Sequence, residues 1–243
     1  MNITPDTLVA DIATTSPATI KVFQRHRIDF CCGGKIPLAA VCEQHRLEVG
    51  DLIEELDAAQ LVVDAATDWT EAPLPDLVAH IQRRFHRPLT AELPRLRAML
   101  DKVVSRHGER LAETLVPLLS TFDDLQTELV AHMAKEDIVL FPAIVSLAAG
   151  ARAADGADWT RIDQPIGVME AEHADAGAAL ARIAELTGGY APPPDACPTF
   201  RGLYHGLSEL EREMHLHVHL ENHILFPRAT ALARRGDSQD RRA

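Results

Sequence analysis

A chain of 243 residues has room for one large domain, or for a medium domain and a small companion. Its net charge of −12 argues against a nucleic-acid surface, and no run of about 18 apolar residues appears, so no membrane span is expected. Few aromatics with ordinary apolar content fit a helical soluble protein. The N-terminus carries Asp6 and Asp11 and lacks a basic-then-apolar leader, which points to the cytoplasm. There the cysteines Cys31, Cys32, Cys42 and Cys197 read as thiols rather than as a disulfide framework.

Residues 1–62 read as a small helical unit. Ser16-Pro17 is a helix start, with serine as cap and proline in the first helical position. Ile20 and Phe23 lead on to Ile28, and the helix should stop before Cys31-Cys32-Gly33-Gly34-Lys35. The glycines permit left-handed backbone, Pro37 opens a second helix, and a third begins near Asp51. A helix N-terminus and Lys35 beside the thiols would favour thiolate, which makes Cys31 and Cys32 candidates for chemistry. The bland reading is a turn with two incidental cysteines. Cys42, on an apolar face, and Cys197, in a Pro-rich loop, read as structural. The core of this unit is thin, so it should pack on the larger domain or mediate a homodimer through its apolar faces.

Residues 63–73 read as a linker or strap, and 74–235 as a four-helix bundle. The first helix spans about 74–104, with Pro88 and Pro94 predicting kinks. The second spans about 109–141, with Pro117 as a possible early break, and a loop follows over 148–161. The third spans about 162–186, closed by Thr187-Gly188-Gly189 and a Pro-rich connector. The fourth spans about 199–225, with a charged, frayed tail after Ala233.

Inside this pattern one motif occurs twice. His132-x3-Glu136-x3-Leu140-Phe141-Pro142 is repeated as His217-x3-Glu221-x3-Leu225-Phe226-Pro227. A histidine and a glutamate four apart lie one above the other on a helix face, and their donor atoms suit iron, zinc or manganese. A further histidine precedes each copy: His86 by 46 residues and His173 by 44. Two such hairpins make a bundle with one inward ligand cluster. Four histidines and two glutamates exceed one tetrahedral zinc site and suit two metals, with the carboxylates free to bridge.

Periodicity supports burial. His217 and Glu221 interrupt the stripe Leu210, Met214, Leu220, Ile224, and His173 shares a face with Ile166, Met169, Leu180 and Ile183. A glutamate there needs a partner or a metal, although a buried ion pair is the competing reading. His86, among Arg83, Arg84 and Arg87, gains its standing from the matching spacing. His215, His219 and His223 form a second stripe that reads as a solvated face, and His80 reads as exposed. Glu170-Ala-Glu172-His173 contains Glu-x-x-His, so Glu170 and Glu172 are candidates to orient His173 or relay protons.

The Cys31-Cys32-Gly33-Gly34-Lys35 stretch, the two H-x3-E-x3-L-F-P halves and Val168-Met169-Glu170-Ala-Glu172-His173 together resemble the repair-of-iron-centres proteins of the YtfE/ScdA/DnrN type, over about residues 6–231. The resemblance implies an all-α fold: a haemerythrin-like four-helix bundle behind a small N-terminal helical domain. It implies two non-haem iron ions in an oxo- or hydroxo-bridged centre. Its ligands are His86, His132, Glu136, His173, His217 and Glu221, with the glutamates as bridges. It also implies repair of iron–sulfur clusters damaged by nitric oxide or oxidants, with damaged iron–sulfur proteins as partners and iron donation as the mode. Nitric oxide or dioxygen binding, or nitric oxide reduction, at the same centre is the alternative. The sequence departs at Leu89, where some relatives carry a second histidine. A metal-free helical interaction protein is the third reading.

Overall fold

The computed structural model describes residues 1–61, 68–150 and 162–240. Most of the loop expected over 148–161 and part of the linker lie outside them. Four short helices come first: α1 (Val9–Thr15), α2 (Ile20–Arg25), α3 (Leu38–His45) and α4 (Val49–Gln60). Ser16 makes no side-chain cap; Pro17 opens a single 3₁₀ turn, Pro17–Thr19, that leads into α2. This helix stops at Arg25, short of Ile28, because Arg27 takes a left-handed conformation with φ of 55°. Gly33 and Gly34 are not in the left-handed region. Gly34 is needed for space instead: a Cβ there would lie 2.4 Å from the Phe30 carbonyl oxygen.

The bundle follows as α5 (Leu74–Ile81), α6 (Arg87–His107), α7 (Ala112–Lys135), α8 (Phe141–Ala148), α9 (Asp163–Leu186), α10 (Pro198–Leu220) and α11 (Phe226–Asp240). Three of its four long rods contain one π turn each: Gln82–His86, Glu136–Leu140 and Glu221–Leu225. The cause is local. A proline follows each turn at Pro88, Pro142 or Pro227, and proline has no N–H to give and a ring that crowds the carbonyl four residues back. The rod widens by one residue, so that the N–H groups of Arg87, Phe141 and Phe226 bond the carbonyls of Gln82, Glu136 and Glu221, five back. The rods therefore run past Leu-Phe-Pro rather than ending there, and α11 replaces the tail expected after Ala233. Pro94 and Pro117 lie within continuous α6 and α7.

Two apolar layers hold the bundle. One packs Leu77, Ile81, Phe141, Ile144, Ile166 and Phe226. The other, with Leu96, Leu100, Phe122, Leu180 and Leu207, is continuous with Val9, Ile12, Phe23, Phe30 and Leu38 of the N-terminal helices. Between the layers along each rod sit the buried polar residues His86, His132, Glu136, His173, His217 and Glu221. Arg228 ties the incoming strap to α11, donating to the Trp69 and Ala72 carbonyls at 2.7 and 2.6 Å. No helix among the described residues is long and apolar enough to cross a membrane.

Candidate metal centre

The six predicted residues converge, and the π turns aim three of them. His86 closes the first turn, and Glu136 and Glu221 open the other two. Both glutamates and His217 are completely buried. The donor atoms fall into two sets, His86 with His217 and His132 with His173, and both sets include Glu136 and Glu221. Within the sets the Nε2 atoms stand 3.0 Å apart for His86 and His217, and 2.9 Å apart for His132 and His173. Two nitrogens bonded to one metal at about 2.1 Å and at right angles lie about 3.0 Å apart. Glu221 puts one oxygen 2.9 Å from His217 Nε2 and the other 3.1 Å from His173 Nε2. Glu136 Oε2 lies 3.3 and 3.4 Å from His132 and His86 Nε2.

The outer nitrogens fix the tautomers. His86 Nδ1 is 2.9 Å from Asp137, His132 Nδ1 2.8 Å from Glu172, and His173 Nδ1 2.8 Å from the side-chain Oδ1 of Asn222. Each acceptor places the ring proton on Nδ1 and turns the Nε2 lone pair inward, the arrangement of metal-binding histidines. Two such lone pairs about 3 Å apart repel unless a cation or a proton lies between them. Both Glu136 oxygens and Glu221 Oε2 lack a hydrogen-bond partner although buried. Orphaned carboxylate oxygens facing paired lone pairs fit a divalent cation in each set.

With protons in place of metal, the charges show the same demand. Burial lowers the affinity of His132 for a proton, yet the neighbouring carboxylate of Glu136, with those of Glu221 and Glu172, holds its pKa up to about 9. Burial pushes Glu221 up, but the charge of His217 and the close imidazoles of His173, His217 and His86 hold it well below the usual carboxylate value.

Leu-Phe-Pro also shapes the site. Phe141 stacks on His86 and Phe226 on His173, at centroid distances of 5.4 and 6.0 Å, and Phe85 stacks on His217 at 5.2 Å. In each half, therefore, the phenylalanine and the residue after the glutamate, Asp137 or Asn222, seat the isolated upstream histidine. Sequence reasoning missed Asp137 and Asn222; their equivalent positions in the two copies were the available signal. Glu172 orients His132, not His173, and also pairs with Lys135. Glu170 pairs instead with Lys35 at 3.5 Å. Replacing Asp137 by alanine is expected to weaken metal binding roughly 10–100-fold in the His86 set, read by competition with a chelator.

The Cys31–Cys32 loop lies against this centre. Cys32 Sγ donates to the His173 carbonyl at 3.2 Å, and Gly177 makes room, since a Cβ there would come 3.1 Å from that sulfur. The His215, His219 and His223 stripe is not a solvated face. His215 and His219 pack edge-on to Phe30 at 6.0 and 5.4 Å, and His223 Nε2 donates to the Cys31 carbonyl at 2.8 Å. Burial drives His219 down to about 3, so it is neutral. Nor is thiolate favoured at Cys31: burial, the Cys32 hydrogen bond and the Asp29 charge push its thiol well above the ordinary value. His80 is half-buried, 4.4 Å from the Trp69 ring. Cys42 is buried in the N-terminal core, and Cys197 precedes α10. A cavity of 290 Å³ lined by Glu128, Lys135, Glu172, His132 and His173 opens one metal set to the outside.

A four-rod helical bundle with a buried His/Glu centre at mid-height defines a haemerythrin-type cation-binding protein, and residues 77–229 match the model of the Hemerythrin HHE cation binding domain. Residues 5–60 match ScdA_N, a domain of unknown function. The iron-sulfur cluster repair protein YtfE of Pectobacterium carotovorum subsp. carotovorum is 38% identical over 224 residues, 92% of this chain and 96% of the relative. That of Edwardsiella ictaluri is 39% identical over 226 residues, with the same coverage of each. That of Yersinia pseudotuberculosis serotype IB is 37% identical over 224 residues, 90% of this chain and 94% of the relative. The chain belongs to the YtfE family of iron-sulfur cluster repair proteins.

Proposed function

We propose that this chain holds two iron ions in its bundle centre and restores iron–sulfur clusters damaged under nitrosative or oxidative stress, acting as an iron donor. The observation that carries the reading is the pair of overlapping donor sets, each with two histidines, sharing both glutamates. His86 and His217 would hold one iron, His132 and His173 the other, with Glu136 and Glu221 contributing to both. When bound, the irons supply redox-dependent lability: hard oxygen and borderline nitrogen donors hold ferrous ion less firmly than thiolates would. The chain's own residues then govern traffic. Glu128, Glu172 and Lys135 line the cavity beside His132 and His173, so carboxylates await an ion leaving that set. Glu172 bonds both His132 and Lys135, and its movement would loosen the His132 ring.

A nitric oxide-damaged iron–sulfur hydratase, incubated with the iron-loaded chain and a reductant, should recover activity in proportion to iron lost from the chain. Recovery without iron loss would sink the donor reading. The same cavity, reaching the His132 and His173 set directly, favours nitric oxide binding as the second reading. That reading predicts a reversible, stoichiometric spectral change on adding nitric oxide, with no recovery of the damaged enzyme.

A further inference from the structure

A second cluster of ligating side chains lies outside the bundle centre. Asp29, Cys31 and His215 each offer one donor atom, and these atoms lie within 4.8 Å of one another. Asp29 is held firmly by its own loop. Its Oδ1 accepts the Cys31 and Cys32 N–H groups at 2.8 and 3.0 Å, and its Oδ2 accepts the Gly33 N–H at 2.8 Å. The same Oδ1 takes the Cys31 S–H at 3.1 Å, so the sulfur already rests against the carboxylate. His215 arrives from α10, and the edge-on contact with Phe30 and the His223 bond to the Cys31 carbonyl fix helix and loop together. No element of the proposed iron chemistry uses this group.

We propose that Asp29, Cys31 and His215 form a second, mononuclear metal site for a borderline-soft divalent cation, zinc(II) or iron(II). One thiolate, one imidazole and one carboxylate are the donor types such ions take. Three protein ligands leave a fourth position open, as in sites that exchange a ligand or pass an ion onward. Loading breaks the Cys31 S–H bond; the proton leaves to water, the sulfur lone pair binds the cation, and nothing is oxidised. The cation offsets the burial and the Asp29 charge that otherwise keep the thiol protonated. Cys32 stays outside the set: its Sγ is 3.6 Å from that of Cys31, but it donates to the His173 carbonyl. The ion has a way in. Asp29 and His215 are only half-buried, and a cavity of 360 Å³ lined by Gln24, Arg27, Glu211 and His215 opens on that side. This site stands independently of what the bundle centre does.

The test is a titration of the full chain, its bundle centre filled with iron, with cobalt(II) chloride. Sulfur-to-cobalt charge transfer in the near-ultraviolet reports the thiolate ligand, a signal that the His/Glu centre cannot give. One equivalent should saturate the band. Cys31→Ser should abolish it, Cys32→Ser should leave it, and His215→Ala and Asp29→Asn should each weaken binding by at least about 100-fold, more than a typical outer-shell loss. His215→Ala removes the ligand, while the His223 bond to the Cys31 carbonyl still holds the loop on α10. Absence of the band overturns the site. So does a band that keeps its affinity in His215→Ala, which would mean a cysteine pair binding metal alone, and so does one lost equally in Cys32→Ser.

Discussion

Glu221→Gln is expected to strip both of the proposed metals from the bundle, whereas His217→Ala is expected to strip one. The difference follows from which atoms are shared. His217 belongs to one donor set, but Glu221 belongs to both, with one oxygen beside His217 and the other beside His173. Glutamine keeps the shape and one acceptor, yet it turns an N–H donor toward one cation and removes the negative charge from both. The buried centre cannot recruit a substitute, because the glutamate has no solvent exposure and apolar residues flank it along the helix. Metal content of protein purified without added metal should be about two per chain in the parent, about one in His217→Ala and near zero in Glu221→Gln. Glu136→Gln should behave as Glu221→Gln does. A Glu221→Gln protein that keeps the parent metal count would refute the shared-carboxylate centre. One that loses metal but is also unfolded by circular dichroism would instead make Glu221 a folding residue.

The metal-free chain should lose stability between pH 6 and pH 9, and the loaded chain should not. His132 has an ordinary value of 6.5 and is held up to about 9 by the surrounding carboxylates, so the folded chain binds that proton more tightly than the unfolded chain. Its contribution is complete below about 6.5 and fades as pH rises through about 9. A shift of this size is worth about 3 kcal/mol, which corresponds to a Tm change of order 10 °C for a chain of this length. His86 is shifted in the same direction, with the Glu221 and Glu136 carboxylates overcoming burial. Glu221 works at the other end. Its depressed value gives stability above the ordinary carboxylate range that is lost as pH falls below it. The chelated protein should therefore be most stable at roughly pH 5–6.5. In the loaded protein the cations do the work of the protons, and its Tm should be flat over the alkaline window. Parallel curves for the two forms would show that the histidines do not carry the protons that the metals replace.

The sequence by itself determined the rods and the six inward residues. The reason is that helical geometry is local: His132 and Glu136, like His217 and Glu221, share a face whatever the rest of the chain does. The prolines were legible as disturbances for the same reason, but their consequence was not. Whether a proline kinks a rod or widens it into a π turn depends on what must be accommodated at that height, and only those beside the centre, Pro88, Pro142 and Pro227, produce the wide turn. Tertiary structure alone decided how the halves combine. His86 meets His217 from the other half rather than His132 from its own, because α6 packs against both α7 and α10 and burial settles which faces meet. It also decided that Asp137 and Asn222, one residue round from the glutamates, reach the outer nitrogens of His86 and His173. The third decision was the histidine stripe of α10. Polar spacing with charged neighbours is what a solvated face looks like in one dimension. The Cys31–Cys32 loop covers it through contacts more than 180 residues apart, such as His223 with Cys31, and no local pattern encodes a contact of that range.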